Sequence, residues 1–183
     1  LLETYTADWS SDADSWASYG GNDNVVTIAG NIDDPFSDTP AKNNCLRVQF
    51  NTDPEETGLC GITRVNPFST ALQQGDLIVL TYDIRLDSAY DSLTDLWEGT
   101  DTVSHMIQMP GQITNFTAVA QDTWVSVDTS IDSSTYGSED LVRNTGNLTM
   151  FILFNSTDDS PQNGARFYLH NFVAKLYRSQ LFT

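Results

Sequence analysis

The chain has 183 residues, 39% of them hydrophobic, and 25 acidic against 8 basic side chains give it a net charge of -17. This length and composition suit a single domain over residues 1–183, and no run of about 18 apolar residues occurs, so we expect no membrane insertion. The acidic excess would repel phosphate groups and anionic lipid surfaces, which argues against nucleic acid and membrane partners.

Alternating apolar and polar residues predict about ten strands. In chain order they cover 14–19, 24–29, 44–50, 58–65, 76–87, 103–108, 112–119, 123–131, 148–154 and 164–177. The pattern is clearest in 76–87, where Ile78 and Leu80 fall on one face and Asp83 and Arg85 on the other. Without any long 3.6-residue period, this pattern predicts an all-β, two-sheet antiparallel β-sandwich of jelly-roll type.

Long polar connections separate these strands. They cover 30–43, 51–57, 87–102, 132–146 and 155–164. Connections of this length commonly carry binding sites or interfaces. The segment 92–98 also favours a short helical turn.

The two cysteines lie on neighbouring predicted strands. Cys45 and Cys60 could face each other across the turn at 52–57, which predicts a disulfide in an exported chain. The alternative is a pair of buried thiols that act as small hydrophobic side chains.

Three Asn-x-Ser/Thr triplets are candidate glycosylation sites, at Asn115, Asn147 and Asn155. Chance also supplies such triplets in a chain rich in Ser and Thr. The chain does not begin with Met and has no charged-then-apolar leader, so we expect a processed or truncated form. Together these features favour an extracellular location: secreted, at a cell surface or on a virion surface.

The sequence nominates no catalytic group. His105 and His170 stand apart from each other, with no Cys or carboxylate at a metal-ligand spacing, and no nucleophile elbow or phosphate-binding glycine loop occurs. Glu55 and Glu56 follow Pro54 in a turn, which is typical of solvated carboxylates. We therefore expect that the chain is not an enzyme.

Aromatic residues in polar loops are the best candidates for a ligand site, because sugar rings stack their C–H faces on Trp and Tyr. Trp97 lies in a polar loop where no core pattern explains it, and Tyr90 and Tyr136 lie in loops that could flank it. Gln108, on a predicted strand, could supply hydrogen bonds to sugar hydroxyls. The alternative for Trp97 is a loop aromatic folded back over one end of the sandwich.

The other tryptophans have different expectations. Trp16 precedes a strand-like run and is best interpreted as a core residue. Trp124 falls on the face opposite Val125 and Val127, where it either covers the sandwich edge or stands on an exposed sheet face. Trp9 lies between polar residues and is undecided.

Five segments in order resemble the carbohydrate-binding-module jelly rolls of galactose-binding-like type that accompany xylanases and glucanases. They read DSWASYGG, LRVQF, GDLIVLTYDIRL, DTWVSVDTSI and GARFYLHNFVAKLY, and they span most of the chain. The resemblance implies a core role for Trp16, a central strand opened by Gly75 and Asp76, and a later strand begun by Trp124. These motifs are short and structural, so they bear on the fold more than on the activity.

The closing strand departs from that family. Where the family has an Asp that helps to bind structural calcium, this chain reads Phe167 to Phe172 without one. The remaining candidate for calcium is the loop with Asp33, Asp34 and Asp38, whose alternative reading is a solvated loop.

Two classes of function remain. The first is a non-catalytic domain that grips a polysaccharide by aromatic stacking, and it predicts an exposed row of aromatics. The second is a structural subunit or decoration protein of a virion, filament or cell surface, which contacts copies of itself through open sheet edges and the apolar termini.

Overall fold

The computed structural model of the chain describes the backbone at 1–19, 26–33, 35–51, 58–65, 67–70, 73, 76–88, 97, 100–109, 111–132, 149–156 and 162–178. Side chains in these ranges are described except those of 58–59, 100–117, 131–132, 149, 151 and 155–156. No helix long and apolar enough to cross a membrane occurs among the described residues.

Within the described ranges the chain forms eleven strands. They are β1 (Glu3–Thr6), β2 (Trp16–Tyr19), β3 (Val26–Ile32), β4 (Cys45–Phe50), β5 (Gly58–Val65), β6 (Leu77–Asp87), β7 (Thr100–Met109), β8 (Gly111–Ala120), β9 (Val125–Asp132), β10 (Thr149–Ser156) and β11 (Arg166–Tyr177). The ten predicted strands are all present, and β1 is an additional one. The predicted helical turn at 92–98 lies outside the described residues except for Trp97.

The strands form two antiparallel sheets. The six-stranded sheet has the order β3-β4-β11-β6-β9, with β1 paired to the C-terminal half of β11. The five-stranded sheet has the order β2-β5-β10-β7-β8. This arrangement confirms the all-β, two-sheet sandwich expected from the alternating pattern.

The core lies between the two sheets and is built from alternate residues of each strand. In β6 the side chains of Ile78, Leu80 and Tyr82 are buried, and the residues between them are partly exposed. Strand β11 keeps its inward face apolar across a bulge near Asn171, whose φ is 51°, so that both Leu169 and Phe172 are fully buried. The bulge therefore lets the longest strand contribute to the core over its whole length.

An aromatic cluster fills one part of the core. The Trp16 ring packs edge-on against Phe172 at 5.0 Å between centroids, and Tyr82 stacks on the other side of Phe172 at 5.4 Å. Trp9 is buried against both Trp16 and Phe172. Trp16 is thus a core residue as predicted, and Trp9 joins it.

The predicted disulfide between Cys45 and Cys60 is wrong. Each cysteine is a buried thiol, and the two lie in different sheets. Cys45 is the first residue of β4, and about 17 Å of extended chain separates it from Phe50 at the end of that strand. Cys60 lies near the start of β5, after the connection that follows Phe50. The thiol of Cys45 contacts the carbonyl oxygen of Lys42, and that of Cys60 contacts the carbonyl oxygen of Phe154.

The candidate glycosylation sites lie in different surroundings. Asn115 is in β8, where its backbone pairs with His105 of β7. Asn155 is in β10, between β5 and β7. Asn147 lies outside the described residues, and glycosylation at all three remains a prediction.

Candidate functional site

The outer face of the five-stranded sheet carries an exposed aromatic side chain. Trp16 of β2 points into the core, and by alternation Ala17 and Tyr19 stand on the outer face, where Tyr19 is 36% exposed. Among the aromatic side chains that the structure describes, Tyr19 alone is this exposed. Val65 of β5 is also exposed, so an apolar surface is present at this edge of the sheet.

Thr63 supplies a polar group on the same face. Its backbone pairs with Ala17 on one side and with Phe151 on the other. Its Oγ1 atom is buried and has no hydrogen-bond partner among the described residues. An unsatisfied buried hydroxyl costs about 1 to 3 kcal/mol, so a partner for Thr63 Oγ1 is expected beyond the described residues.

Gly61 separates Tyr19 from the next strand. It lies between Tyr19 and Leu153 in the register of the sheet, and its φ is 154°. A Cβ atom there would lie 2.2 Å from the carbonyl oxygen of Ile152, so only glycine fits. Tyr19, Gly61 and Leu153 are register partners across β2, β5 and β10 and form one row of the sheet. Because Gly61 has no side chain, none stands between the Tyr19 ring and Leu153 in this row.

The predicted ligand residues fall in several places. The backbone of Gln108 in β7 pairs with Thr149 and with Gln112, so its position lies on this sheet in the same row as Val65. Its side chain is outside the described set. Tyr90 and Tyr136 lie outside the described residues altogether.

Trp97 requires a correction, because its ring is in the core and not on the surface. It is 3% exposed, and its centroid lies 4.9 Å from that of Phe154 and 5.8 Å from that of Phe50. Gln121 donates a hydrogen bond from Nε2 to the Trp97 carbonyl oxygen, which holds the loop in place. A sugar cannot stack on a ring enclosed in this way, and the packing alternative agrees with the structure.

The outer face of the six-stranded sheet holds a second aromatic cluster, and its members bind one another. Trp124 is half-buried there and donates from Nε1 to Asp38 at 2.7 Å. Phe36 packs edge-on against both Trp124 and Tyr168. The Arg85 guanidinium stacks 3.6 Å from the Phe36 ring centre. The loop that carries Phe36 therefore covers this part of the face.

Asp83 is the polar centre of the same cluster. Its carboxylate accepts hydrogen bonds from Lys42 at 2.9 Å and from Ser126 at 2.7 Å, and His170 Nδ1 lies 3.3 Å away. Burial acts to raise the pKa of Asp83, but the hydrogen bonds from Ser126, Lys42 and His170 outweigh it and lower the pKa. With its partners already inside the chain, this carboxylate is better suited to structure than to ligand binding.

The candidate calcium loop has its carboxylates occupied by the protein. Asp33 accepts the backbone N–H of Asn44, and Asp38 accepts the Trp124 N–H. Asp34 lies outside the described residues. Across the part of the chain that is described, no group of three His, Cys, Asp or Glu side chains is arranged to hold a metal ion.

Comparison by sequence finds no relative. No family model matches the chain, and no curated protein matches it.

Comparison by structure finds several sandwiches of the same kind. The CBM22-1 xylan-binding domain of Paenibacillus barcinonensis Xyn10C matches with a TM-score of 0.59 at 10% identity, over 97% of this chain and 95% of that one. The CBM22-2 xylan-binding domain of the same protein matches with a TM-score of 0.57 at 12% identity, over 98% and 100%. Fisc, a Stig cyclase from Fischerella sp. TAU in complex with an indole compound, matches with a TM-score of 0.65 at 11% identity, over 97% and 100%.

These likenesses confirm the predicted resemblance to carbohydrate-binding-module jelly rolls at the level of the fold. The match to a cyclase shows that the same sandwich also occurs in a protein named as an enzyme. The fold by itself therefore does not decide the activity.

Neither Tyr19 nor Thr63 is among the ligand residues predicted from the sequence. Both lie in strands that were predicted, and the alternation in Trp16–Tyr19 places Tyr19 on the face opposite Trp16. That signal was available in the sequence. The unsatisfied hydroxyl of Thr63 was not, because it depends on what the neighbouring strands place around it.

Proposed function

We propose that this chain is a non-catalytic carbohydrate-binding domain that takes an extended polysaccharide across the outer face of its five-stranded sheet. The exposed ring of Tyr19 on the outer face of β2 is the observation that carries this proposal. A sugar offers an apolar ring face to Tyr19, and the proposal includes Thr63, which pairs with Ala17 of β2, as the polar group that a sugar hydroxyl contacts on binding. Gln108, in a neighbouring row of the sheet, is a further candidate contact.

The fold supports the same ligand class. Two of the structural matches named above are xylan-binding domains, and they cover 97% and 98% of this chain.

The non-catalytic part of the proposal rests on two carboxylates that are held by other side chains of the protein. Asp76 is 1% exposed and forms a two-pronged ion pair with Arg178, while Asp83 is held by Lys42 and Ser126. Neither is placed to protonate a glycosidic oxygen or to activate water. We extend the proposal to an extracellular location, where such polymers occur.

The assembly alternative has less support. The exposed large apolar side chains among the described residues are Leu1, Leu2, Tyr19 and Val65, and they do not amount to a broad apolar interface.

Thr63→Val tests the contribution of the hydroxyl group, because valine keeps the shape of threonine and removes the hydroxyl. We expect Thr63→Val to melt at the same temperature as the parent chain or higher, while its affinity for the polysaccharide found on a glycan array falls about tenfold, or about 1.4 kcal/mol. Incubation of the same polymer with the parent chain should release no reducing ends. Unchanged affinity in Thr63→Val, or release of reducing ends, would overturn the proposal.

A further inference from the structure

Positive charge is concentrated on the opposite side of the molecule. Of the eight lysines and arginines in the chain, Lys175 lies on the C-terminal half of β11, and four lie on or over the outer face of the six-stranded sheet beside the N-terminal half of β11: Lys42, Arg47, Arg85 and Arg166. In a chain with 25 acidic residues, this is an unusual local balance.

Three of these four cations have an acidic neighbour. Lys42 pairs with Asp83 at 2.9 Å, and Arg85 lies 3.9 Å from Asp38. Arg166 stands directly opposite Asp87 in the register of β11 and β6. Arg47 is different, because it forms no ion pair with any residue in the described ranges.

The surroundings of Arg47 form a compact polar square. Arg47 and Gln49 on β4 stand opposite Tyr168 and Arg166 on β11. Arg166 donates from Nε to the Gln49 side-chain oxygen at 2.8 Å, which fixes the Arg166 guanidinium beside the Gln49 side chain. We call these four residues the Arg47 patch.

Two guanidinium groups act on one region of this patch. Burial raises the pKa of the Tyr168 hydroxyl, the positive charges of Arg166 and Arg47 act to lower it, and the negative charge of Asp87 acts to raise it. The register agrees, because Arg47 stands directly opposite Tyr168. On the outer edge of the patch, Arg47 stands beside Ala29 of β3, which is too small to cover it. The register places Arg47 and Arg166 at diagonal positions on β4 and β11, so that one anion can contact both guanidinium groups.

We propose that the Arg47 patch binds the carboxylate of a uronic acid residue in an acidic polysaccharide. A planar carboxylate matches the two-pronged geometry of guanidinium groups, and the Gln49 amide can serve a neighbouring sugar hydroxyl. The inference rests on the proposed function, in that the ligand is a polysaccharide, and it adds a second contact on the opposite sheet. The net charge of the chain opposes binding of any polyanion, so affinity has to come from local contacts.

The test uses the full chain and two variants that lose the same charge. Arg47→Gln removes the guanidinium that forms no ion pair within the described ranges, and Lys175→Gln removes a cation from β11 outside the patch. Titration calorimetry follows binding to polygalacturonate, alginate and glucuronoxylan, with methyl-esterified polygalacturonate and dextran sulfate as comparisons. We expect Arg47→Gln to weaken binding to at least one uronate polymer about tenfold, with Lys175→Gln close to the parent chain.

Several outcomes contradict the inference. The absence of binding to all three uronate polymers would overturn it. Equal losses of affinity in Arg47→Gln and Lys175→Gln would also overturn it, because they would show that only the overall charge of the chain matters. Binding of dextran sulfate without any uronate polymer would overturn the carboxylate assignment. Binding to neutral polymers that depends on Thr63, without uronate binding, would leave the proposed function standing and remove this second contact.

Discussion

The indole nitrogen of Trp16 donates a hydrogen bond to the hydroxyl oxygen of Tyr5 at 3.1 Å, and this contact joins β2 of one sheet to β1 of the other. Arg64 of β5 donates to the same oxygen at 3.3 Å, and Tyr5 donates to Asp14 at 2.6 Å. One hydroxyl thus connects both sheets and the first loop.

Replacement of Tyr5 by phenylalanine should therefore destabilise the sandwich. The indole N–H of Trp16 would lose its partner, at a cost of about 1 to 3 kcal/mol in the free energy of unfolding. Urea denaturation at neutral pH measures this loss. Tyr177→Phe, at the end of β11, is the matched control and should change stability by less than about 0.5 kcal/mol.

Tyr5 also predicts a stability change at high pH. Burial, together with the hydrogen bond to Asp14, raises the pKa of Tyr5 to about 12 from an ordinary value of 10.0. The unfolded chain ionises first as pH rises, so the stabilisation by Tyr5 is complete below pH 10 and is lost between pH 10 and about 12. Unfolding curves of the parent chain and Tyr5→Phe should converge across this window. Parallel curves would contradict the account.

Asp83 should control stability on the acid side. Its pKa is lowered from 3.8, so it binds protons more weakly in the folded chain than in the unfolded chain. Its contribution is present above about pH 4 and disappears as pH falls through the lowered pKa. We expect Asp83→Asn to flatten the loss of stability below pH 4, as measured by thermal melts from pH 2 to 6. Asp128→Asn, at an exposed site on β9, should leave the acid limb unchanged.

The ion pair between Asp76 and Arg178 ties the start of β6 to the end of β11. Arg178 donates from Nε and from its terminal nitrogen to the two carboxylate oxygens at 2.9 and 2.8 Å. Arg178→Gln leaves a buried carboxylate without its cation and should cost about 3 kcal/mol. The double variant Asp76→Asn, Arg178→Gln should recover part of that loss. Additive losses in the double variant would show that the two side chains act independently.

Trp97 should act on stability and not directly on binding. Trp97→Ala removes a ring packed between Phe50 and Phe154, which should lower the free energy of unfolding by about 3 to 5 kcal/mol. Trp97→Phe keeps an aromatic ring and should retain both the fold and polysaccharide affinity. Loss of affinity in a folded Trp97→Phe protein would restore Trp97 as a ligand contact.

The strands could be predicted from the sequence because burial of one face makes apolar and polar residues alternate along each of them. β6 shows this in full, with buried and partly exposed residues alternating over eleven positions. β1 was missed because Glu3–Thr6 places only Tyr5 as a large inward side chain between polar residues. A short edge segment of this kind carries too little pattern to distinguish it from a loop.

Contacts between distant segments could not be predicted in the same way. Spacing along the chain put Cys45 and Cys60 on neighbouring strands, but it does not say that β4 and β5 belong to different sheets. The polar residues around Trp97 likewise gave no sign that the loop folds back into the core. The Arg47 patch depends on the register of β4 against β11, and local alternation does not determine it.

The most direct test of carbohydrate binding on the five-stranded sheet is the affinity of Tyr19→Ala for the polysaccharide that the parent chain binds, measured by titration calorimetry. Tyr177→Ala, which removes a partly exposed tyrosine from the other sheet, is the matched control. We predict at least a tenfold loss of affinity in Tyr19→Ala and little change in Tyr177→Ala, with both proteins folded. Equal affinity in the parent chain and Tyr19→Ala would contradict the account.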